Sequence, residues 1–426
     1  MTNNPISAIA LNKEIESNFH TSFLILLGVI FFAGVFAQPN IVMALEQIFI
    51  ISCIVLLRTV PHMLQTIKRH WLISIIISLW LISITISFFN SPYDVMYKYI
   101  SVQRNLQIIT HIIFFICIRD YVVRYSVRLK PIFLAISMAG IFVMVVMAVL
   151  LIGEDFSSAE TSYRWMHQPP LNSNIRHTGY LIAAAIGASI GFCFLPNIKK
   201  IGRVGVILLL TLLVAFMFWT GSRGVMVSTL SAFVIIGAVA HWKGNSVRFF
   251  LITFVVSFIF GAVLAEIFAV FPWNGLFYSV SRSVGATTLN ELGSNRMEIW
   301  LSAIATIKQY PLFGLGSFGY VFMPNHVFGL HPHSFILQFL IEWGAVGTLL
   351  IISALTIGFY NGLRAQIINR AEKLNPAIIS VGGVLLSLGV LGLVDGTFFY
   401  PQPTLYLVMA LAIWTAPPTR KTPATF

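Results

Sequence analysis

Twelve apolar runs punctuate this chain, near residues 22–37, 41–57, 72–89, 105–118, 131–152, 178–195, 203–219, 225–240, 249–271, 333–360, 377–394 and 399–416. A helix needs roughly 20 residues to cross the ~30 Å of hydrocarbon in a bilayer. In lipid no water is available to backbone N–H and C=O groups, so a spanning segment must close its hydrogen bonds internally or within a sealed barrel. Runs of this length without strict alternation predict helices. The expected fold is an all-α, polytopic transmembrane bundle of about twelve spans. Composition agrees: 58% of residues are apolar and 9% charged, against about 25% charged in soluble domains. The net charge of +12 would suggest nucleic acid in a soluble protein. Here the basic residues fall in short loops between apolar runs and report topology instead, so no nucleic-acid partner is expected. Cys53, Cys117 and Cys193 lie within apolar runs without paired spacing, which argues against a disulfide framework or a cysteine metal site.

Segment 1–21 is polar, and no small-residue cleavage site follows the first apolar run, so that run is expected to be retained as a span. With a cytoplasmic N-terminus, 18 of the 26 lysines and arginines fall on the inner side and every inner loop is basic. The positive-inside rule then places both termini in the cytoplasm. The organisation predicted is a cytoplasmic segment 1–21, nine spans over 22–271, an external loop 272–332, three spans over 333–416 and a cytoplasmic tail 417–426.

The eight outer cations are Lys98, Arg104, Arg164, Arg176, Arg223, Arg282, Arg296 and Lys308. Several stand where that rule gives no reason for them. Arg223 lies in the turn Gly221-Ser222-Arg223-Gly224, too short to wander, at the mouth of the bundle. It is either a snorkelling anchor or a group facing a cavity. Within 272–332, residues Ile299, Trp300, Ala303, Ile304 and Ile307 recur at helical spacing. They predict an amphipathic helix on the outer surface, capped by Ser294 or Asn295, ended by Pro311 with Gly314 and Gly316, and carrying Arg296 in its first turn. An arginine beside exposed backbone N–H groups suits a phosphate, and equally a lipid headgroup. Arg176 repeats the placement of Arg223 at the start of a span. Arg164 lies in the stretch from Tyr163 to His177, where aromatics alternate with Arg, Asn and Gln, as in sugar-binding surfaces and interfacial belts. Lys98 and Arg104, in the loop before span four, are weaker candidates of the same kind.

His326, His331 and His333 fall within eight residues. On a helix, positions 331 and 333 would point apart, and no HExxH is present, so no metal is expected. A helix over 333–360 would exceed the hydrocarbon thickness and lift its first turn, with His333, to the outer interface. An imidazole there can act as a general base, or cap the helix. The outer acids Asp94, Glu154, Asp155, Glu160, Glu291, Glu298 and Asp395 form no DxD, and the pair Glu154-Asp155 reads as a solvated loop. Glu342, within span ten, calls for a partner that spacing does not name.

Arg296-Met297-Glu298-Ile299-Trp300, then Tyr310-Pro311-Leu312-Phe313-Gly314-Leu315-Gly316, then His333-Ser334-Phe335-Ile336-Leu337-Gln338 with Glu342-Trp343-Gly344, together with the Gly-Ser-Arg-Gly turn, resemble the signature of the O-antigen ligase and polymerase superfamily. The resemblance covers roughly residues 200–400. Many members have His-Asn where this chain has His333-Ser334. His333 has the matching spacing to Leu337-Gln338, and His331 stands in reserve.

The resemblance implies a GT-C-like membrane glycosyltransferase in a bacterial inner membrane. It would move a glycan from undecaprenyl diphosphate to a sugar hydroxyl of lipid A-core at the periplasmic face, without metal or cofactor and with inversion. His333 would be the base and Arg223 and Arg296 the diphosphate-binding cations, with Arg176, Arg164, His331, Lys98 and Arg104 as further substrate contacts. A polymerase would use the same donor and the same chemistry. A lipid-linked sugar transporter would also suit twelve spans, but the halves show no internal repeat and polar groups gather at one face rather than at midplane.

Overall fold

The computed structural model describes residues 21, 23–32, 39–57, 59–125, 129–171, 174–294, 296–323, 326, 329–368 and 372–416. The predicted terminal segments 1–21 and 417–426 lie almost wholly outside these, as do Asn172, Asn325, the proposed cap Asn295 and the side chain of Arg176.

Among the described residues the chain is helical, without strands. In order the helices are α1 (Phe23–Phe32), then α2 (Pro39–Leu56), α3 (Val60–Arg69), α4 (Trp71–Asn90), α5 (Val95–Tyr125), α6 (Lys130–Leu151), α7 (Ala159–His167) and α8 (Ile175–Ile190). They continue with α9 (Lys200–Trp219), α10 (Arg223–Trp242), α11 (Arg248–Ile267), α12 (Gly275–Val284), α13 (Leu289–Leu292), α14 (Arg296–Gln309), α15 (Phe335–Leu363), α16 (Pro376–Val394) and α17 (Pro401–Trp414). Nine of these are long and apolar enough to cross a membrane, or ten if the bent pair α2–α3 is one span. The expected twelve thus reduces to nine or ten among the described residues, because α1 spans only ten described residues and α17 has 14. α8 forms the buried centre, with Ala183, Ala184, Ala185 and Ala188 all fully enclosed. It packs against α6, α9, α10 and α16; small side chains let helix axes approach closely where lipid offers no hydrophobic drive.

Two expected boundaries move. The loop expected before span four is largely helix, since α5 begins at Val95, so Lys98 and Arg104 are helical residues. Span ten starts at Phe335, two residues after His333.

That span is also broken. Gly344 has φ 63° and ψ −170°, a conformation available in practice only to glycine. The Pro-Leu-Phe-Gly-Leu-Gly loop fills the break and satisfies its freed backbone groups. Leu315 and Gly316 donate their N–H groups to the carbonyls of Ile341 and Glu342 at 2.7 and 2.8 Å, while Ala345 and Val346 donate to Pro311 and Leu312 at 2.8 and 3.1 Å. The Ser87 hydroxyl of α4 also donates to the Glu342 carbonyl. Irregular backbone at membrane depth survives only where protein supplies such partners. The loop motif and the Glu-Trp-Gly motif are therefore two halves of one joint.

A Cβ at residue 344 would lie 2.2 Å from the Leu312 carbonyl oxygen. Gly344→Ala is expected to lose at least about 1–3 kcal/mol through backbone strain alone, read as a fall in Tm or in folded yield. Gly389→Ala, where nothing lies within 4 Å, should leave Tm unchanged or slightly raised.

Candidate active site

The external loop is built rather than loose. α14 turns Ile299, Ala303 and Thr306 inward, where they pack with Leu315, Tyr320, Met323 and Ile341 of the joint. That face is therefore covered by protein, while Met297, Leu301 and Ile304 stay exposed. Ser294 does not cap α14 through an observed side-chain bond; it adopts φ 59°, and its hydroxyl accepts from Arg223. At the other edge of the helix the Trp300 indole N–H donates to the Pro332 carbonyl at 3.0 Å. α14 thus carries Arg296 and also anchors the His331-Pro332-His333 segment.

At the centre stands Asp395, the residue just past the C-terminus of α16. Its Oδ1 lies 3.0 Å from His333 Nδ1, accepts the Tyr180 hydroxyl at 3.1 Å and accepts the Gly396 N–H at 2.8 Å. Arg296 spans the same end of α16, with one guanidinium nitrogen 3.6 Å from Asp395 Oδ2 and another bonded to the Val394 carbonyl. Burial alone would raise the Asp395 carboxyl. The His333 hydrogen bond and then the Arg296 charge outweigh it and hold the group well below the usual carboxylate range.

His331 and His333 do not point apart, because residues 331–334 precede the helix and His333 takes φ 50°. Their rings meet at 4.3 Å. The His333 backbone N–H donates to His331 Nδ1 at 3.1 Å, which fixes the His331 proton on Nε2 and supports the left-handed turn. The two differ in access: His331 is 2% exposed, whereas the His333 side chain is 25% exposed. Burial, then the charge of His333, pushes the His331 pKa well down, so His331 is a neutral internal support. Gly396 lets the Asp395 turn close on it, since a Cβ there would touch the His331 ring at 2.3 Å.

Arg223, first residue of α10, joins from the other side. Its guanidinium donates to the Ser283 hydroxyl of α12 at 3.1 Å and to Ser294 at 2.7 Å, two residues before Arg296. The charges of Arg282 and Arg296 both bear on it. The structure therefore gathers Arg223, Arg296 and His333, with Arg282 as a third arginine that spacing did not single out.

The remaining candidates fare differently. Arg164 pairs with Glu154, the acid read as a solvated loop, while Asp155 bonds Ser157. Lys98 is exposed on α5. Arg104 is buried, 7% exposed, donating to Gln107 at 2.9 Å and to the Phe398 carbonyl at 2.6 Å. Gln107 continues to His111, and His111 to Glu46 at 2.7 Å. This intramembrane network ties the 396–400 turn to α5 and α2. Glu342 finds Gln338 at 3.3 Å and feels the Arg104 charge.

Sequence reasoning noted Asp395 only among the scattered outer acids and His177 only at the end of a polar stretch, and it missed Tyr180 and Tyr400. The His177 and Tyr400 rings meet at 4.4 Å and line the same cluster; burial and the Asp395 charge raise the Tyr400 hydroxyl. A usable signal for Asp395 was its place: an acid at the outer end of a span, directly before a glycine, like the placement of Arg223.

His331, His333 and Asp395 offer ligand-type atoms within 4.8 Å of one another. His331 Nδ1 and Asp395 Oδ1 are already engaged, His333 Nε2 alone has its lone pair open, and the Arg296 guanidinium puts positive charge beside the three. The donor set suits an anionic ligand next to a base better than a cation.

Residues 207–352 match the family model described as O-Antigen ligase. A comparison with curated proteins finds no match. The matched segment runs from α9 into α15 and contains Arg223, Arg282, Arg296, His331, His333 and both halves of the joint; Asp395 and Tyr180 fall outside it. The chain is accordingly a multi-pass membrane protein whose residues 207–352 are similar to the O-antigen ligase family.

Proposed function

We propose that the chain is an O-antigen ligase, transferring a glycan from undecaprenyl diphosphate to a sugar hydroxyl of lipid A-core at the periplasmic face of a bacterial inner membrane. One observation carries the reading: an Asp-supported, partly exposed histidine lies beside a set of arginines that have few acids to neutralise them. A carboxylate can only accept, so His333 donates its Nδ1–H to Asp395 and its Nε2 lone pair stays available. Nε2 takes the proton of the acceptor hydroxyl as that oxygen attacks the anomeric carbon, the bond to the diphosphate oxygen breaks, and the anomeric configuration inverts. Arg223, Arg282 and Arg296 stabilise the charge growing on the departing diphosphate, each charge-assisted contact contributing about 1.5–3 kcal/mol. No metal or cofactor enters this scheme.

Arg282→Gln is expected to lower kcat/KM for the lipid-linked donor by about tenfold or more, the equivalent of one such contact. Steady-state kinetics with donor varied check it, with KM for the acceptor as the control that should not move.

Purified protein given lipid-linked glycan with and without lipid A-core tests the assignment. The ligase reading expects glycan on lipid A-core and no reaction without it. Growth of lipid-linked chains in the absence of core would assign a polymerase instead. Passage of intact donor across the bilayer, with no transfer, would assign a transporter.

A further inference from the structure

The far end of the bundle carries a second cationic feature, separate from the site above. From Arg104 to Arg119, α5 advances 15 residues, or about 22 Å, away from the Asp395 turn. There α3 leaves α2 at a bend of 100° and runs for ten residues with none of its side chains buried. Val60, Leu64 and Ile67 share one face and are all exposed, and so is Trp71 at the head of α4. On the flank and opposite side stand Lys68 and Arg69, also exposed. Beneath them Arg119 of α5 is 8% exposed, with one guanidinium nitrogen 3.0 Å from His70 Nε2. For that contact to be a hydrogen bond, the ring nitrogen must accept, so His70 is neutral. Burial and the charges of Arg119 and Arg69 favour that form.

Cations therefore outnumber acids here. Asp120 is the one acid whose charge reaches Arg119, and it is engaged by Arg124. Among the described residues neither Arg119 nor Arg69 forms an ion pair. An apolar helix face left uncovered beside unneutralised cations suits a ligand with a hydrocarbon part and an anionic part.

We infer that the corner of α3, His70 and the end of α5 seats an anionic phospholipid, its phosphate between Lys68, Arg69 and Arg119 and its acyl chains against Val60, Leu64, Ile67 and Trp71. Unneutralised cations beside an uncovered apolar helix face favour a lipid over a protein partner, since a phospholipid supplies both an anion and hydrocarbon. This binding does not depend on the transferase reading.

Native mass spectrometry of the full-length protein in detergent, with phosphatidylglycerol or phosphatidylcholine added, tests it. Wild type should retain phosphatidylglycerol in preference to phosphatidylcholine. Lys68→Gln with Arg69→Gln should weaken that retention about tenfold or more, the order expected for two basic side chains at a lipid headgroup. Both positions are exposed, so an unchanged Tm without lipid serves as the folding control. Lys308→Gln, removing an exposed cation on α14 at the opposite face, should leave the retention as in wild type. Equal retention of the two lipids would overturn the inference, as would undiminished retention by the Lys68/Arg69 variant. Loss of retention in the Lys308 variant, or displacement of the lipid by millimolar inorganic phosphate, would also overturn it.

Discussion

His333→Ala is expected to lower kcat for glycan transfer by about 10²- to 10⁴-fold, the usual contribution of a positioned general base. KM for the lipid-linked donor should stay within a few-fold of wild type, because the arginines that would hold the diphosphate lie on α10, α12 and α14 and do not depend on the imidazole for their seats. Arg223 is fixed by Ser283 and Ser294, and Arg296 by Asp395 and the Val394 carbonyl. His331→Ala separates the two histidines. It removes the acceptor of the His333 N–H but no group facing outward, so it should cost less than His333→Ala. Single-turnover assays on the purified variants measure this order directly; a His331 variant more impaired than the His333 variant would reverse the assignment of the base.

Asp395→Asn has the second largest expected effect, again about 10²-fold or more in kcat. An amide at this position can donate to Nδ1, which favours the tautomer with its proton on Nε2 and removes the lone pair the reaction needs. It also leaves Arg296 without its anion. A pH series distinguishes the stability part of this effect. The Asp395 carboxyl is held below its ordinary value in the folded protein, so its contribution is fully present above the unfolded carboxylate pKa of about 4. It is lost as pH falls below that value towards the depressed native one. The Tm difference between wild type and Asp395→Asn should therefore be constant from neutral pH down to about pH 4 and shrink only in stronger acid. A difference that shrinks already between pH 7 and 5 would mean that Asp395 titrates there and is not the ionised support of His333.

The sequence made the membrane class, most helices and the placement of Arg223 and Arg296 at helix starts legible because each leaves a local trace. Apolar run length marks a span, a four-residue turn pins Arg223, and helical spacing exposes α14. Three things left no such trace. The break at Gly344 looks like an uninterrupted apolar run, since the loop that repairs it is some 30 residues away in sequence. The pairing of His331 with His333 depended on residues 331–334 not being helical, which spacing alone cannot decide. Asp395 sits 62 residues from His333, and its significance arises only when the end of α16 meets α14 and the head of α15. Arg104 shows the effect of helix length: its position in the sequence suggested a loop cation, and extension of α5 through it buries the side chain against the Phe398 carbonyl. Long-range tertiary contact, rather than local pattern, decided each of these.

A structure of the full-length protein with undecaprenyl diphosphate bound would show whether these arginines hold the leaving group. Both phosphates should lie within hydrogen-bonding distance of Arg223, Arg282 and Arg296, with His333 Nε2 facing the position of the anomeric carbon that the diphosphate has left. A diphosphate bound away from these arginines, or held with His333 turned from it, would contradict the account.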